Sequence, residues 1–460
     1  MSQDPSLQTT RTLSAYVAGA LAAAPPQEHR LLGQLHVLDT LASMVACRDL
    51  EAAVLARSYA QTLSAGASTA TMLSTFDRAS LVEAAFAGAM TGHAAEINDF
   101  NPSAFVQPGP PVLSVALALA ETRGATGAEL LRAVMVGYEV AGRLPKALGI
   151  GNLRRAGVAN HAVGPLFGAA ATAAALLRLE PGQIDHVWTY CAQQAGGSWQ
   201  WLLDVEHLEK AFVFAGKGAR DGLHAALMAE AGFRGVRNAL DHPEGWLRSG
   251  VFAGGDCDPA YLTADLWRRS ELPLTAFKRY PVGGPTQPAV EGLLSLLPDL
   301  QGATVEGVRI EMPGRWQAFR DAAMPALNLR YLTAIILIDG GLDFVAAQSL
   351  SRMADDPQVR DLMDRVEIVH DPAQEAAPGT PRTESARVIV RLRGGREVQA
   401  YTPYVLGFPS HPMAPSDVEA KALQLMSPHL GVARAQQVID AVAQIESLDR
   451  ASALIGLIAR

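Results

Sequence analysis

The stretch "GPLFGAAATAAALLRL", Gly164 to Leu179, is apolar on every face of the helix its spacing describes. A helix with one apolar stripe can lie on a surface, whereas one lacking a polar face has to be surrounded by other elements. The fold must therefore wrap a buried central helix, and the rest of the 460-residue chain has the composition to do it. Hydrophobic residues make up 49% of the chain and aromatics only 6%, so Ala, Leu and Val carry the apolar content, which favours helices over a β-sandwich. A chain of this length also exceeds what one hydrophobic core accommodates, and two domains are expected.

Helical spacing runs from Leu13 to about Arg57 with a break at Pro25-Pro26, and again over Arg78–Ile97, Pro111–Glu121 and Ala128–Leu148. After about residue 270 the period changes to two. "TVEGVRIEM" (304–312) and "RVEIVHDP" (365–372) alternate like half-buried strands, and "ARVIVRLRGGREVQAYTP" (386–403) reads as a hairpin turning at Gly394-Gly395. "GPTQPAVEGLLSLL" (284–297) and "LNLRYLTAIILIDGG" (327–341) read as helices among them, and helical spacing returns over Ser416–Gln424 and Ala433–Ala459. The expected fold is mainly α with an inserted α+β domain: residues 1–270 and 404–460 form a large all-helical domain, and residues 271–403 a smaller α+β lid. The loop "DPAQEAAPGTPRTE" (371–384) is expected to be exposed and mobile.

A net charge of −8 and pI near 5.8 argue against a general nucleic-acid or membrane-surface binder. No uncharged run approaches the ~20 residues a membrane span needs, and residues 1–25 lack the pattern of a leader, so a soluble, unprocessed protein is expected. Cys47, Cys191 and Cys257 stand far apart without metal-ligand spacing, which suits a reducing cytoplasm. Only five lysines occur, Lys146, Lys210, Lys217, Lys278 and Lys421, so each is more informative than usual.

The chain has no Walker loop and no Gly-x-Ser-x-Gly elbow, and "GKGARDG" (216–222) opens a helix with no strand before it, which fails the dinucleotide test. Its eleven histidines show neither His-x3-His nor His-Glu-x2-His spacing, so neither a metal nor NAD or ATP is expected. One polar segment stands out among the apolar helices: "GHAAEINDF". In it His93, Glu96 and Asp99 follow the Arg78–Ile97 helix at steps of three, along one side as that helix ends. Carboxylates there oppose the helix dipole. Either cations arrive from another segment, or Asn98, Asp99 and Asn101 simply cap the helix and loop.

"GHAAEINDF", "QPGPPVLSVALALAE" and "VMVGYEVAGRL" are followed in order by "FGAAATAAALLRLEPGQIDHVWTYCAQQAGG", "GARDGLHAALMAEAGFRG", "AFKRYPVGGPTQPAVEGLL" and "GFPSHPMAPSDVEAKAL". This ordered set resembles the MmgE/PrpD family, which includes 2-methylcitrate dehydratase, cis-aconitate decarboxylase and iminodisuccinate epimerase, and the resemblance spans nearly the whole chain. It implies a helical domain built from both chain ends, a lid domain, a homodimer, an active site in the cleft and no cofactor. The chemistry it implies begins with removal of a proton beside a carboxylate of a small di- or tricarboxylate. Loss of water follows in a dehydratase, with epimerisation or decarboxylation as the alternatives, and a catalytically inactive binding homologue stands as the non-enzymatic rival.

Such chemistry needs a base, donors for the developing enediolate-like charge, and cationic clamps for carboxylates. Carried over by the resemblance, Glu96 stands at the family's first motif aspartate and Asp99 at its acidic pair. His161 and Lys210 fall within about one residue of a family histidine and lysine, and Lys278 in "FKRYP" matches the lysine at the lid entry; Arg279 and Tyr280 beside it, with Gln107, are the substrate-binding candidates. Glu96 or His161 is expected to be the base, and Lys278 to be reachable by solvent at the domain boundary. Lys421 is expected to be an ordinary surface charge. The chain departs from the family where a histidine before proline is replaced by Gln107, where the acidic pair reads Asn98-Asp99, and where a small hydroxyl residue is replaced by Phe100. Glutamine keeps hydrogen bonding but cannot shuttle protons near neutral pH, which puts a citrate-type dehydratase mechanism in doubt.

Overall fold

The computed structural model describes residues 8–245, 247, 249, 254–300, 302–377 and 384–459. In chain order its principal helices are α1 (Thr9–Ala18), α2 (Gln27–Ala46), α3 (Glu51–Leu63), α4 (Leu81–Gly92), α5 (Gly109–Arg123), α6 (Gly127–Leu148), α7 (Asn160–Leu176), α8 (Pro181–Gln194), α9 (Lys217–Glu230), α10 (Gln287–Leu300), α11 (Leu329–Asp339), α12 (Pro415–Leu430) and α13 (Val432–Ala443). The all-apolar helix is α7, and every one of its residues is buried. Helices α5, α6, α8 and α9 pack around it. Close approach is possible because small residues line the crossings: a Cβ on Gly168 of α7 would come within 2.6 Å of the Gly137 carbonyl of α6.

Local signals set the helix ends. The Ser80 side chain accepts from Glu83 N to cap α4, and Thr126 and Glu129 form a reciprocal capping box on α6. The expected helix Arg78–Ile97 is shorter at both ends: Arg78–Ala79 pairs with Ala70–Thr71 as a two-residue strand, and α4 stops at Gly92. Residues 93–99 form a tight turn. His93, Glu96 and Asp99 consequently do not share a helix side.

A second buried cluster lies between Val282 and Leu392. It fills the space between α10, α11 and a four-stranded sheet of β1 (Val305–Met312), β2 (Val366–His370), β3 (Ala386–Leu392) and β4 (Glu397–Thr402), in the order β2-β1-β3-β4. β1 runs parallel to β2 and antiparallel to β3, and β3 and β4 form the hairpin around Gly394-Gly395. Alternating burial along β3 shows one face on the helices. Of the loop expected to be exposed and mobile, residues 378–383 lie outside the described residues, and Gln374 is buried, bonded to the Glu311 carbonyl, Asp371 and Ser385. No helix among the described residues is long and apolar enough to cross a membrane.

The returning helix α12 packs along α2. There the expected surface charge Lys421 is buried, because its ammonium donates to Asp39 Oδ1 at 2.5 Å and to the Ile97 carbonyl at 2.8 Å. Burial raises the Asp39 carboxyl and Lys421 opposes that shift. Lys421→Met removes the main compensation and should cost about 3–5 kcal/mol in thermal or denaturant unfolding, while adding Asp39→Asn should recover much of the loss. A single variant within about 0.5 kcal/mol of the parent would show that the pair does not support the fold.

Candidate active site

The turn after α4 carries Glu96, which is buried and meets two lysines from distant segments. Glu96 Oε1 accepts from Lys210 Nζ, and Oε2 accepts from Lys278 Nζ at 2.8 Å. Lys210 sits on a one-turn helix, Leu208–Ala211, which Asp204 caps by accepting from Lys210 N at 2.7 Å. Lys278 is brought in by a backbone bridge between Phe100 and Ala276, and Phe277 N donates to the Gly407 carbonyl at 2.9 Å. Three separate stretches of chain thus meet at one carboxylate. The expectation that Lys278 would be reachable by solvent is corrected: it is 1% exposed, because the Phe100 bridge and the Gly407 contact close over it. Lys210 is likewise buried.

Three imidazoles surround this cluster. His93 Nδ1 lies 2.7 Å from Asn98 Oδ1, and Asn98 Nδ2 donates to the Asp99 carbonyl, so His93 Nδ1 carries the hydrogen and Nε2 is left as an acceptor. His161, at the start of α7, contacts the Phe105 carbonyl through Nδ1, and a carbonyl can only accept. Its Nε2 is therefore also a free base site. The neighbouring Asn160 pins the same loop by donating to the Ala104 and Phe105 carbonyls, each at 2.8 Å. His207, in the left-handed region at φ 63°, is buried with both ring nitrogens lacking hydrogen-bond partners among the described residues. Aromatic rings hold the imidazoles: His93 stacks on Phe214 at 5.0 Å, and His161 meets Phe214 at 4.2 Å and Trp201 at 5.0 Å. Phe214 lies in a π-helical turn, Phe212–Gly216, between the Lys210 turn and α9.

Electrostatics separates the roles. Burial alone would raise the Glu96 carboxyl, but Lys210 and Lys278 outweigh it and hold it well below the usual carboxylate range. Burial pushes His93 down to about 4, helped by Lys278 and Lys210 and opposed by Glu96. His161 and His207 are depressed well below the ordinary imidazole value by burial first and then by Lys210. Burial lowers Lys210 too, against Glu96. The arrangement is an ionised carboxylate, its ammonium partners and neutral imidazoles.

The remaining sequence candidates lie elsewhere. Asp99 faces a layer behind the site, where its Oδ2 accepts from the Tyr138 hydroxyl at 2.5 Å and lies 2.9 Å from His36 Nδ1, and its Oδ1 accepts from Gly109 N at 3.2 Å. A Cβ on Gly109 would stand 2.6 Å from that oxygen and 2.4 Å from Thr40 Oγ1, so a larger residue there would have to displace these side chains. Arg279 is exposed and turned to Glu291 at 3.6 Å. Tyr280 is half-buried against the second core, its backbone N–H and carbonyl both bonded to Gln287. Gln107 is half-buried before α5, with Oε1 lacking a partner among the described residues. Sequence reasoning missed His207, Trp201 and Phe214, which belong to no local motif, and it noted His93 without assigning it a role.

His93, Glu96 and His207 also bring three ligand-type atoms within 4.8 Å of one another, a grouping the spacing of histidines along the chain did not reveal. Both Glu96 oxygens already accept from ammonium groups, whose charge opposes a cation at that point.

Residues 11–258 match the MmgE/PrpD N-terminal domain, and residues 280–447 match the MmgE/PrpD C-terminal domain. The chain is 25% identical over 397 residues to a cis-aconitate decarboxylase-like protein of Aspergillus oryzae, covering 79% of this chain and 80% of that protein. It is 24% identical over 441 residues to cis-aconitate decarboxylase of Homo sapiens, covering 92% and 88% of the two chains.

The site geometry predicts that His93 and His161 stay neutral from pH 7 to 5, which nitrogen-detected NMR of the imidazoles can follow. Unfolded histidines take up protons from about pH 6.5 while the folded ones do not, so stability should decline as pH falls from about 6.5 towards 4. A His93 midpoint near 6.5 would contradict the described environment.

Proposed function

The chain belongs to the MmgE/PrpD family, and from that premise we propose that it is a lyase that removes a proton beside a carboxylate of a small di- or tricarboxylic acid and then expels water. The observation that carries this reading is the buried meeting of Lys210, Lys278 and Glu96 beside a neutral His161 whose Nε2 has no hydrogen-bond partner among the described residues. Of the two candidate bases, His161 is the better. Both Glu96 oxygens are engaged by ammonium groups, whereas His161 uses only Nδ1, on the Phe105 carbonyl, and leaves Nε2 without a hydrogen-bond partner among the described residues, open to a substrate proton.

In this mechanism each lysine spends one of its three N–H groups on Glu96 and keeps two for the substrate. They hold the carboxylate and stabilise the charge that spreads onto it as the C–H bond breaks. His161 Nε2 takes the proton. The C–O bond on the adjacent carbon then breaks, and the imidazolium returns the proton to the departing hydroxyl, so that water leaves and a double bond remains. Glu96 keeps the two ammoniums in place without joining the proton transfer, and Gln107 contributes at most a hydrogen bond.

Decarboxylation is the second reading, favoured by the two relatives, which are named as a cis-aconitate decarboxylase and a protein like it. The same cluster would then stabilise the carbanion left by carbon dioxide, and a Lys210 or Lys278 ammonium, which carries a proton where the neutral His161 Nε2 does not, would deliver it and regain one from solvent. Proton NMR of the protein with citrate, malate and cis-aconitate in D2O separates the outcomes: new vinyl signals from the hydroxy acids mark dehydration, loss of carbon dioxide from the unsaturated acid marks decarboxylation, and exchange alone marks epimerase chemistry. His161→Gln should lower turnover at least ~100-fold and Lys278→Ala at least ~10-fold. Wild-type turnover in His161→Gln would remove it as the base, and silence across a broad panel of acids would favour a binding protein.

A further inference from the structure

The groups around Glu96 carry a specific charge balance. Two ammoniums face one ionised carboxylate, and the three imidazoles are neutral, so the buried cluster holds a single positive charge in excess. That charge matches one substrate carboxylate. Arg279 is exposed and faces Glu291, and so adds nothing here. A further cation, Arg154, is exposed with its guanidinium 4.0 Å from the Trp199 ring. The described contacts thus offer cations for two carboxylates, one at the Lys210–Lys278 pair and one at Arg154 beside Trp199.

What lies between those cations is aromatic. The Lys210 ammonium stands 5.4 Å from the Trp201 ring, and Trp201 lies 5.8 Å from Trp199. Both indoles belong to a small cluster apart from the main core, with Ala159 and Ala162 beneath them. Their polar edges differ. Trp199 Nε1 donates to the Val158 carbonyl at 3.2 Å, whereas Trp201 Nε1, on a residue only 8% exposed, has no partner among the described residues. Leaving a buried indole N–H unpaired costs free energy that a ligand acceptor would recover. On the other side of Lys278, Phe100 places its ring 5.6 Å from the ammonium and packs on Phe408, so this wall supplies neither a hydroxyl donor nor a charge.

We propose that the site takes a dicarboxylate bearing an apolar or aromatic arm, with one carboxylate in the Lys210–Lys278 cluster and the arm along Trp201 and Trp199, in place of a compact tricarboxylate. Trp201 is then a specificity-determining residue: its face carries the arm and its N–H bonds an oxygen of the bound acid. The inference rests on the carboxylate-binding reading above and narrows it.

Benzylsuccinate and propane-1,2,3-tricarboxylate test it, because they share a backbone and differ by a phenyl group in place of a carboxylate. Titration calorimetry on the full chain should show benzylsuccinate binding at least ~10-fold more tightly, about 1.4 kcal/mol. Trp201→Ala, verified by thermal melt, should bring the two acids to within about twofold, and the half-buried Trp199→Ala provides the same comparison if the first variant fails to fold. Equal or tighter binding of the tricarboxylate, or a preference untouched in the Trp variants, overturns the inference. Exchange of the C–H beside a carboxylate in D2O, measured with both acids, separates this from the broader reading. Exchange with a preferred tricarboxylate sinks the arm and leaves the chemistry, selective binding without exchange keeps the arm and sinks the chemistry, and neither binding nor exchange sinks both.

Discussion

A carboxylate buried between two ammonium groups is the constraint on which the rest of this structure depends. Taking each charge out of water costs several kcal/mol, and only mutual pairing in good geometry offsets it. Glu96 comes from the turn after α4, Lys210 from a short turn 114 positions later, and Lys278 from the approach to the second core 182 positions later. No one of them is tolerable where it lies without the others. The pairing therefore fixes the relative placement of three segments, and with it the positions of His93, His161 and His207, whose surroundings then keep them neutral.

The turn that presents Glu96 is itself held from behind. Lys421 reaches the carbonyl of Ile97, one residue along, while paired with Asp39. Asp99, two residues further, gathers Tyr138, His36 and Gly109. These contacts use α2, α5, α6 and the returning α12 to brace a loop that has no regular structure of its own. Chemistry needs such bracing, since ammonium groups positioned by Glu96 lose much of their advantage when displaced by an ångström.

How much of this could be read in the sequence depended on the range of the interaction. The buried α7 was legible because its own residues exclude a polar face, and the hairpin because Gly394-Gly395 sits between two alternating runs. The end of α4 was not, because "MTGHAAEI" continues helical spacing through His93 to Ile97 while the backbone turns at Gly92. Lys421 looked like a surface charge because Asp39 lies 382 positions away, and the same holds for Lys278 and its carboxylate. Among the candidates for the site, family resemblance pointed to Glu96, His161, Lys210 and Lys278, which the fold gathers, and equally to Arg279 and Asp99, which it turns elsewhere. His207 and Phe214 depend on a left-handed residue and a π-turn that no short motif announces.

The claim that Glu96 is the ionised partner binding these segments together is tested most directly by a double-mutant cycle between Glu96→Gln and Lys278→Met, read by unfolding free energy. The account predicts that each single change destabilises by about 3–5 kcal/mol, because each leaves a buried charge without a full partner, and that the double variant loses at least about 2 kcal/mol less than the sum. Additive losses, within about 0.5 kcal/mol, would contradict it and leave Glu96 and Lys278 as neighbours that do not depend on one another.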